Sequence, residues 1–302
     1  MDKVMLISNP RAGSVSPRTK EVIVKALSAD FKLEVHDTRA RDHGIELAAE
    51  ALDRDFDAVV AFGGDGTINE IAQPLVGSDI ALGLLPGGST NVMARSLGVP
   101  RDPVEATAFV AGNLRSGTKR RIGLGKMDGR YFLFSCGIGL DAEVVKRVER
   151  DVNAGNEKTE WTFIKHAFAA GATEYRTTDQ WLTVRIPGYD SFKGVLGVCC
   201  NARPFTYYRR FPVEACPQAR LDRRLDLLVL RNIRTATIPR LVWALFVSKG
   251  HVSWRKSRYF HDIPTFTWLA DVPKPVQVDG DYIGERQEVE VSHVPDALDL
   301  LV

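Results

Sequence analysis

Up to residue 117 the apolar residues fall in short unbroken blocks, and amphipathic stretches of helical period separate them. "KVMLIS" (3–8) is one such block, ended by the turn-forming "NPRAGS". From 19 to 27 the spacing predicts a helix with Val22, Ile23, Ala26 and Leu27 on its buried side. "FKLEVHD" (31–37) alternates as a strand, and "HGIELAAEALDRD" (43–55) predicts a second helix. "FDAVVAF" (56–62) is continuous and β-branched, the pattern of a parallel strand covered on both faces. A "GGDGT" turn (63–67) follows it and a helix follows the turn. "DIALGLLP" (79–86) repeats the plan, with a "GGST" loop and a short helix, "NVMARSLG". Strands and helices that alternate in this way predict an α/β layered domain.

After "GNLRSGTKRR" (112–121) the rhythm changes. "YFLFSCGIG", "QWLTVRIPG", "FKGVLGVCCNA", "LDLLVLRNI", "PTFTWLA" and "KPVQVDGDYIG" are strand-like runs punctuated by Gly, Pro or Asp. One helix-like segment interrupts them, over 141–150 and again over 160–170. The pattern predicts two domains, 1–117 and a β-rich 118–294.

Composition narrows the setting. The chain has 302 residues, enough for two cores, with 44% hydrophobic and 26% charged residues as in a globular protein. A net charge of +2 does not single out nucleic acid as a partner. Cys136, Cys199, Cys200 and Cys216 show no metal-ligand spacing and read as buried thiols, which suits a reducing cytoplasm. No uninterrupted apolar run approaches the ~20 residues needed to span a bilayer, and the N-terminus is too short and strand-like for a signal peptide. The expected location is cytoplasmic, with any membrane contact peripheral. The six histidines form no metal cluster, and no Ser-His-Asp spacing supports a hydrolase.

Two glycine loops at the ends of consecutive parallel strands, each leading into a helix, are placed where α/β sheets bind ligands. Glycine lets a backbone approach a phosphate, and the amides of the next helix favour an anion. An isolated Asp-Gly marks only a tight turn. Asp65 inside such a loop repels bound phosphate unless a divalent cation or an ordered polar network mediates.

"GGDGTINE" (63–70) followed by "LLPGGSTNVMARSLGVP" (84–100) resembles the diacylglycerol kinase catalytic family, which includes soluble bacterial lipid kinases and sphingosine and ceramide kinases. "NPRAG" (9–13), "CGIGLDAEVV" (136–145) and "QVDGD" (277–281) match further motifs of that family, in the same order. The resemblance implies a Rossmann-like N-terminal α/β domain of the NAD kinase/diacylglycerol kinase type and a C-terminal β-sandwich domain for the lipid. It also implies an ATP site between the two and a last strand, about 295–302, that returns to the first domain.

Carried over by position, Asn9, Pro10, Arg11, Ala12, Gly13, Thr38, Gly63, Gly64, Asp65, Gly66, Thr67, Ile68 and Asn69 would surround the nucleotide. Ser89 stands where threonine is usual, Asn91 follows in the same loop, and Arg95 would balance phosphate charge. Asp65 would organise Mg2+-bound phosphate. Asp281 would be the catalytic base, one methylene shorter than the glutamate of relatives, with Asp279 as its alternate or on the Mg2+ side. Glu285 fits no such pattern. Val92 replaces an aspartate common in relatives, and "ARLDRRLDLLVL" (219–230) lacks their glycine, so an accessory Mg2+ site at Asp222 and Asp226 is expected to be missing or rebuilt, and no metal ligands are assigned.

The implied reaction uses ATP and Mg2+ to phosphorylate a lipid hydroxyl at a membrane surface, with diacylglycerol to phosphatidate leading. NAD kinase-like phosphorylation of a soluble acceptor and an idle nucleotide- or lipid-binding regulator are the alternatives. "TYYRRF" (206–211) and the flank 254–258 are candidate membrane docks, while 241–247 reads as the buried face of a helix.

Overall fold

A computed structural model describes residues 1–153, 166, 181–233 and 238–302. The chain divides into two compact units, Met1–Gly123 with Pro295–Val302, and Leu124–Val294.

The first unit is a parallel sheet wound with helices. Its strands are β1 (Lys3–Ser8), β2 (Lys32–Asp37), β3 (Ala58–Gly63) and β4 (Ala81–Pro86), and its helices are α1 (Pro17–Ser28), α2 (His43–Asp53), α3 (Asp65–Leu75), α4 (Val92–Ser96) and α5 (Pro103–Ser116). β2, β1, β3 and β4 lie side by side in that order, all parallel. β1, β3 and β4 are buried almost throughout, which explains their unbroken apolar runs, whereas edge strand β2 has no buried residue. The chain's last residues add a fifth parallel strand, with Leu300 opposite Leu82 and the Leu301 amide bonded to the Leu82 carbonyl at 3.0 Å.

Two local expectations need correction. α1 turns Ile23 and Leu27 inward, but Val22 and Ala26 are exposed, because the stripe at i and i+4 is narrower than the four-residue face read from spacing. α5 was not anticipated. Its inward residues Ala106, Thr107, Val110, Ala111 and Leu114 are mostly small and give a weak periodic signal. Its start is nevertheless encoded: Asp102 accepts the Val104 and Glu105 amides at 2.9 and 3.1 Å, with Pro103 in the first turn. Gly117, with φ 69°, closes it.

The second unit is built of antiparallel strands. β5 (Arg120–Met127) and β6 (Arg130–Phe132) form a hairpin, β7 (Ser135–Gly139) follows, and helix α6 (Leu140–Asn153) leaves its end. The other strands are β8 (Leu182–Arg185), β9 (Phe192–Gly194), β10 (Leu196–Cys200), β11 (Thr206–Tyr208), β12 (Phe211–Val213), β13 (Leu225–Leu230), β14 (Ser257–Ile263), β15 (Thr265–Val278) and β16 (Asp281–Leu300). β10 is flanked by β7 and β13, so both of its edges are used. Gly197 of β10 nevertheless lies under the Trp268 indole of β15, where a Cβ would come within 2.7 Å of the ring. That contact is face to face, and β15 reaches it by pairing with β8 near Trp268 and with β7 near Val276. The core between these layers holds Trp268, Phe266, Phe132 and all four cysteines, which are free and buried.

The helix expected over 141–150 is present as α6, and its expected continuation over 160–170 lies outside the described residues, His166 excepted. A short helix, α7 (Ile238–Trp243), runs into a π-helical turn, Ala244–Ser248. Only one side of 241–247 faces the core. Ala244 is buried, Leu241 and Leu245 pack on the core, and Val242, Trp243 and Val247 are exposed. Among the described residues no helix is long and apolar enough to cross a membrane.

Candidate active site

β1 sits between β2 and β3, so the chain departs in opposite directions on its two sides and leaves a crevice beyond the C-terminal ends of β1 and β3. The loops after β1, β3 and β4 meet there, held by backbone bonds. The Ser14 amide donates to the Gly87 carbonyl and the Gly87 amide to the Gly63 carbonyl, both at 2.8 Å. The Asn9 amide donates to the Phe62 carbonyl at 2.9 Å. Glycine is required at the crossing: a Cβ on Gly88 would lie 2.8 Å from the Gly64 Cα, and one on Gly87 2.9 Å from the Gly63 Cα.

The polar side chains of 63–70 are turned into the protein. Both oxygens of Asp65 accept backbone amides from the next loop, Val92 at 3.0 Å and Met93 at 3.1 Å. Asp65 thus caps α4, whose own cap residue Asn91 is left-handed and makes no side-chain capping bond. In this geometry the Asp65 carboxylate positions the start of α4. Thr67 Oγ1 accepts the Asn9 side-chain amide at 2.9 Å. Glu70, which the sequence reading left without a role, accepts the Asp42 and Gly44 amides at 2.9 and 3.2 Å and so caps α2. Ile68 and Asn69, expected around the nucleotide, are 1% and 0% exposed and support the loop from beneath. Thr38 is buried at the end of β2, its amide on the Ser8 carbonyl at 2.9 Å.

Pro10, Arg11 and Gly13 are exposed in the first loop, and Ala12 is half-buried. The Asn9 side chain closes that loop by accepting the Arg11 amide at 3.0 Å, and the Ala12 amide bonds the Asn9 carbonyl at 3.1 Å. Asn91 closes the third loop, pairing its side-chain amide with both backbone groups of Gly88 at 2.8 and 2.7 Å. Ser89, Asn91 and Arg95 line a cavity of about 190 Å³ together with Ser14, Thr90 and Arg101. The last three were missed. Arg101 follows directly on the segment 84–100 that carries the motif, and its charge beside Arg95 was the available signal. Val92, in place of an acidic residue, is buried, and only its amide serves the loop.

What this crevice offers a ligand is backbone and positive charge. α3 opens on Gly64, which has no side chain to cap the first turn, so amides of that turn are presented to an anion. With Arg95 on α4 and Arg101 in the connection that follows it, the donor set fits phosphate groups.

In the second unit the two acids of "DGD" have different surroundings. Asp279 is 3% exposed and accepts three backbone amides, from Leu133 at 2.7 Å, Phe134 at 2.9 Å and Ser135 at 3.0 Å. It anchors the strand start. Asp281 is half-buried at the far side of the turn, opposite Val278. The turn is tied to α6 and to Gln277. The Gly280 amide donates to Gln277 Oε1 at 2.8 Å, Gln277 Nε2 donates to Asp141 at 2.7 Å, and the Tyr282 amide donates to Glu149 at 2.9 Å. Asp141 packs against Gly137, where a Cβ would come within 2.0 Å of its carboxylate. Burial pushes the Asp141 carboxyl up to about 6, against the opposing effect of the Gln277 bond. Glu285 pairs with Lys146 at 2.8 Å.

Among the described residues no three His, Cys, Asp or Glu side chains come together as a metal site. Asp226 is buried and bound by the Tyr259 hydroxyl, by His261 Nδ1 at 2.7 Å and by the Asp262 amide at 3.1 Å, while Asp222 pairs with Arg220 at 2.8 Å. A cation at Asp226 would have to displace these partners.

Residues 3–127 match the family model of the diacylglycerol kinase catalytic domain. Among individual relatives, the diacylglycerol kinase of Bacillus subtilis (strain 168) is 35% identical over 148 residues, 48% of this chain and 48% of that protein. The chain thus spans about half the length of the curated relatives it matches. The crystal structure of a diacylglycerol kinase from Bacillus anthracis str. Sterne superposes with a TM-score of 0.72 at 20% identity, covering 99% of this chain and 96% of that one. An NAD kinase from Archaeoglobus fulgidus, solved in complex with ATP, reaches a TM-score of 0.54 at 12% identity, covering 99% of this chain and 93% of that one. Both structural likenesses are of fold: an α/β N-terminal region followed by a strand-rich C-terminal one.

Proposed function

We propose that the protein is a lipid kinase that uses ATP with Mg2+ and phosphorylates diacylglycerol to phosphatidate. The observation that carries this reading is the knot of three glycine loops at the switch point of the sheet, with Arg95 and Arg101 beside it. Such a knot presents fixed amides to phosphates, and phosphoryl transfer depends on positioning and on neutralising charge more than on covalent chemistry. Mg2+ would enter with ATP as part of the substrate and would offset its phosphate charge.

The acceptor hydroxyl oxygen forms the new bond to the γ-phosphorus while the bond to the β,γ-bridging oxygen breaks. ADP leaves with that electron pair, and Asp281 takes the hydroxyl proton. The turn that carries Asp281 is held by the Asp141–Gln277–Gly280 chain of hydrogen bonds and by Glu149, so the carboxylate is placed before substrate arrives. The curated relative's name, diacylglycerol kinase, supports the choice of acceptor.

Incubation of the protein with labelled ATP, Mg2+ and mixed micelles of diacylglycerol, sphingoid base or ceramide, with NAD as the soluble arm, tests the reading. Label in phosphatidate is expected. Label only in NADP would overturn the lipid acceptor, and nucleotide binding with no transfer to any acceptor would make the protein a regulator.

A further inference from the structure

The hairpin β11–β12 and the helical turn after α7 form one surface of the second unit. Tyr208 and Phe246 meet edge to face at 6.3 Å, the Glu214 amide donates to the Leu245 carbonyl at 2.9 Å, and Lys249 reaches Glu214 at 3.1 Å. On this surface Trp243 is 61% exposed, Val247 54% and Phe211 51%, with Val242 also exposed. Trp243 and Val247 are one turn apart, so their side chains stand together on the outward side of the segment. A soluble face has no use for a tryptophan and a phenylalanine this open, and nothing in the core requires them there.

Charge defines what the surface fits. Residues 203–213 hold three arginines and residues 238–258 hold five Lys or Arg, and neither stretch has an Asp or Glu. The neighbouring acid, Glu214, is buried and neutralised by Lys249. The cations lie along the rings: Arg209 is 5.8 Å from the Tyr208 centroid, Arg210 5.3 Å from Phe211, and Arg240 4.8 Å from Trp254. Aromatic bodies with guanidinium groups beside them match the headgroup layer of a bilayer, where rings enter the interface and cations meet lipid phosphates. A protein partner would need an apolar pocket ringed by acids. The bilayer offers both halves at once.

We propose that Phe211, Trp243 and Val247, with Arg209, Arg210 and Arg240 around them, dock the second unit onto an anionic lipid surface. This corrects the expectation of a buried 241–247 face and moves the dock from the 254–258 flank to the outward side of 242–247. It stands apart from the kinase reading, because it requires neither nucleotide nor acceptor.

The test is sedimentation of the full chain, without ATP, with vesicles of phosphatidylcholine alone or with phosphatidylglycerol added. Wild type is expected to bind the phosphatidylglycerol vesicles and to bind phosphatidylcholine weakly. Trp243→Ser with Val247→Ser should lower the partition about tenfold. Arg209→Gln with Arg210→Gln should do so about tenfold at low salt, with the difference shrinking at high salt. Val272→Ser, at an exposed position on β15, should match wild type. Should the Trp243/Val247 pair lower the melting temperature, the arginine pair, on an exposed hairpin tip, decides alone. Wild type that fails to bind phosphatidylglycerol vesicles, or variants that bind as wild type does, would overturn the proposal. So would loss of self-association in the Trp243/Val247 pair with vesicle binding intact, since the face would then join two copies of the chain.

Discussion

Replacing Asp65 by asparagine separates two jobs a carboxylate in this loop could hold. As a cap, Asp65 accepts the Val92 and Met93 amides at 3.0 and 3.1 Å. Asparagine keeps one acceptor oxygen and turns an NH2 group toward the other amide, which loses a charge-assisted bond and leaves a donor facing a donor. That change costs about 2 kcal/mol. The first unit comprises Met1–Gly123 and Pro295–Val302, and for about 130 residues each kcal/mol shifts the melting temperature by about 3–5 °C. The transition of that unit should therefore fall by about 6–10 °C in a thermal melt followed by circular dichroism, with no nucleotide present. Turnover should drop at least tenfold, because α4 carries Arg95 and follows directly on Asn91. If Asp65 instead served a metal-bound phosphate, neutralising it would leave the apo protein as stable as before and still remove activity. A melting temperature within about 1 °C of wild type together with lost turnover would refute the capping argument.

Asp281→Asn and Asp279→Asn should separate cleanly. The first should cut turnover about 100-fold or more, and an unaffected rate would remove Asp281 as the base. The second should destabilise the second unit by about 2–4 kcal/mol in urea titration, since asparagine turns an NH2 group toward at least one of three buried amides and removes the charge that strengthens the remaining bonds. The raised Asp141 carboxyl sets a pH dependence. Between about pH 4 and 6 the folded protein holds a proton the unfolded chain has released, so stability falls as pH rises through that window and is lower by up to ~3 kcal/mol above it. Asp141→Asn should flatten that slope in urea titrations at pH 4.5 and 8, and persistence of the slope would assign it to another group. Glu70→Ala should cost about 1 kcal/mol through the α2 cap while leaving the KM for ATP unchanged, and a raised KM would place Glu70 at the ligand.

The strands were legible wherever burial is two-sided, because β3 and β4 had no choice but continuous apolar runs. The crevice was legible for a related reason, since a Cβ on Gly87 or Gly88 would collide with the backbone of the loop after β3. Hidden in the sequence was the direction of side chains that could serve either a ligand or a neighbouring backbone. α5 escaped because alanines and a threonine give little contrast. The segment 241–247 misled because an exposed apolar side and a core-facing side use the same residues, and only packing tells them apart.

The motif 63–70 illustrates the same ambiguity at the centre of the proposed chemistry. Asp65 faces Val92 and Met93, Thr67 faces Asn9, Asn69 lies beside Gln73 with its Oδ1 3.2 Å from that side-chain amide, and Glu70 faces Asp42 and Gly44. Asp65, Thr67 and Glu70 each hold another loop or helix, Asn69 bonds within α3, and the ligand is left with amides. The same atoms that make the segment recognisable therefore fix where those amides point. A substitution at 65, 67 or 70 moves a helix start or a loop before it removes any contact with phosphate. Activity alone cannot assign these residues a catalytic role: a shifted loop and a lost catalyst both lower turnover, but only the shifted loop also lowers the melting temperature.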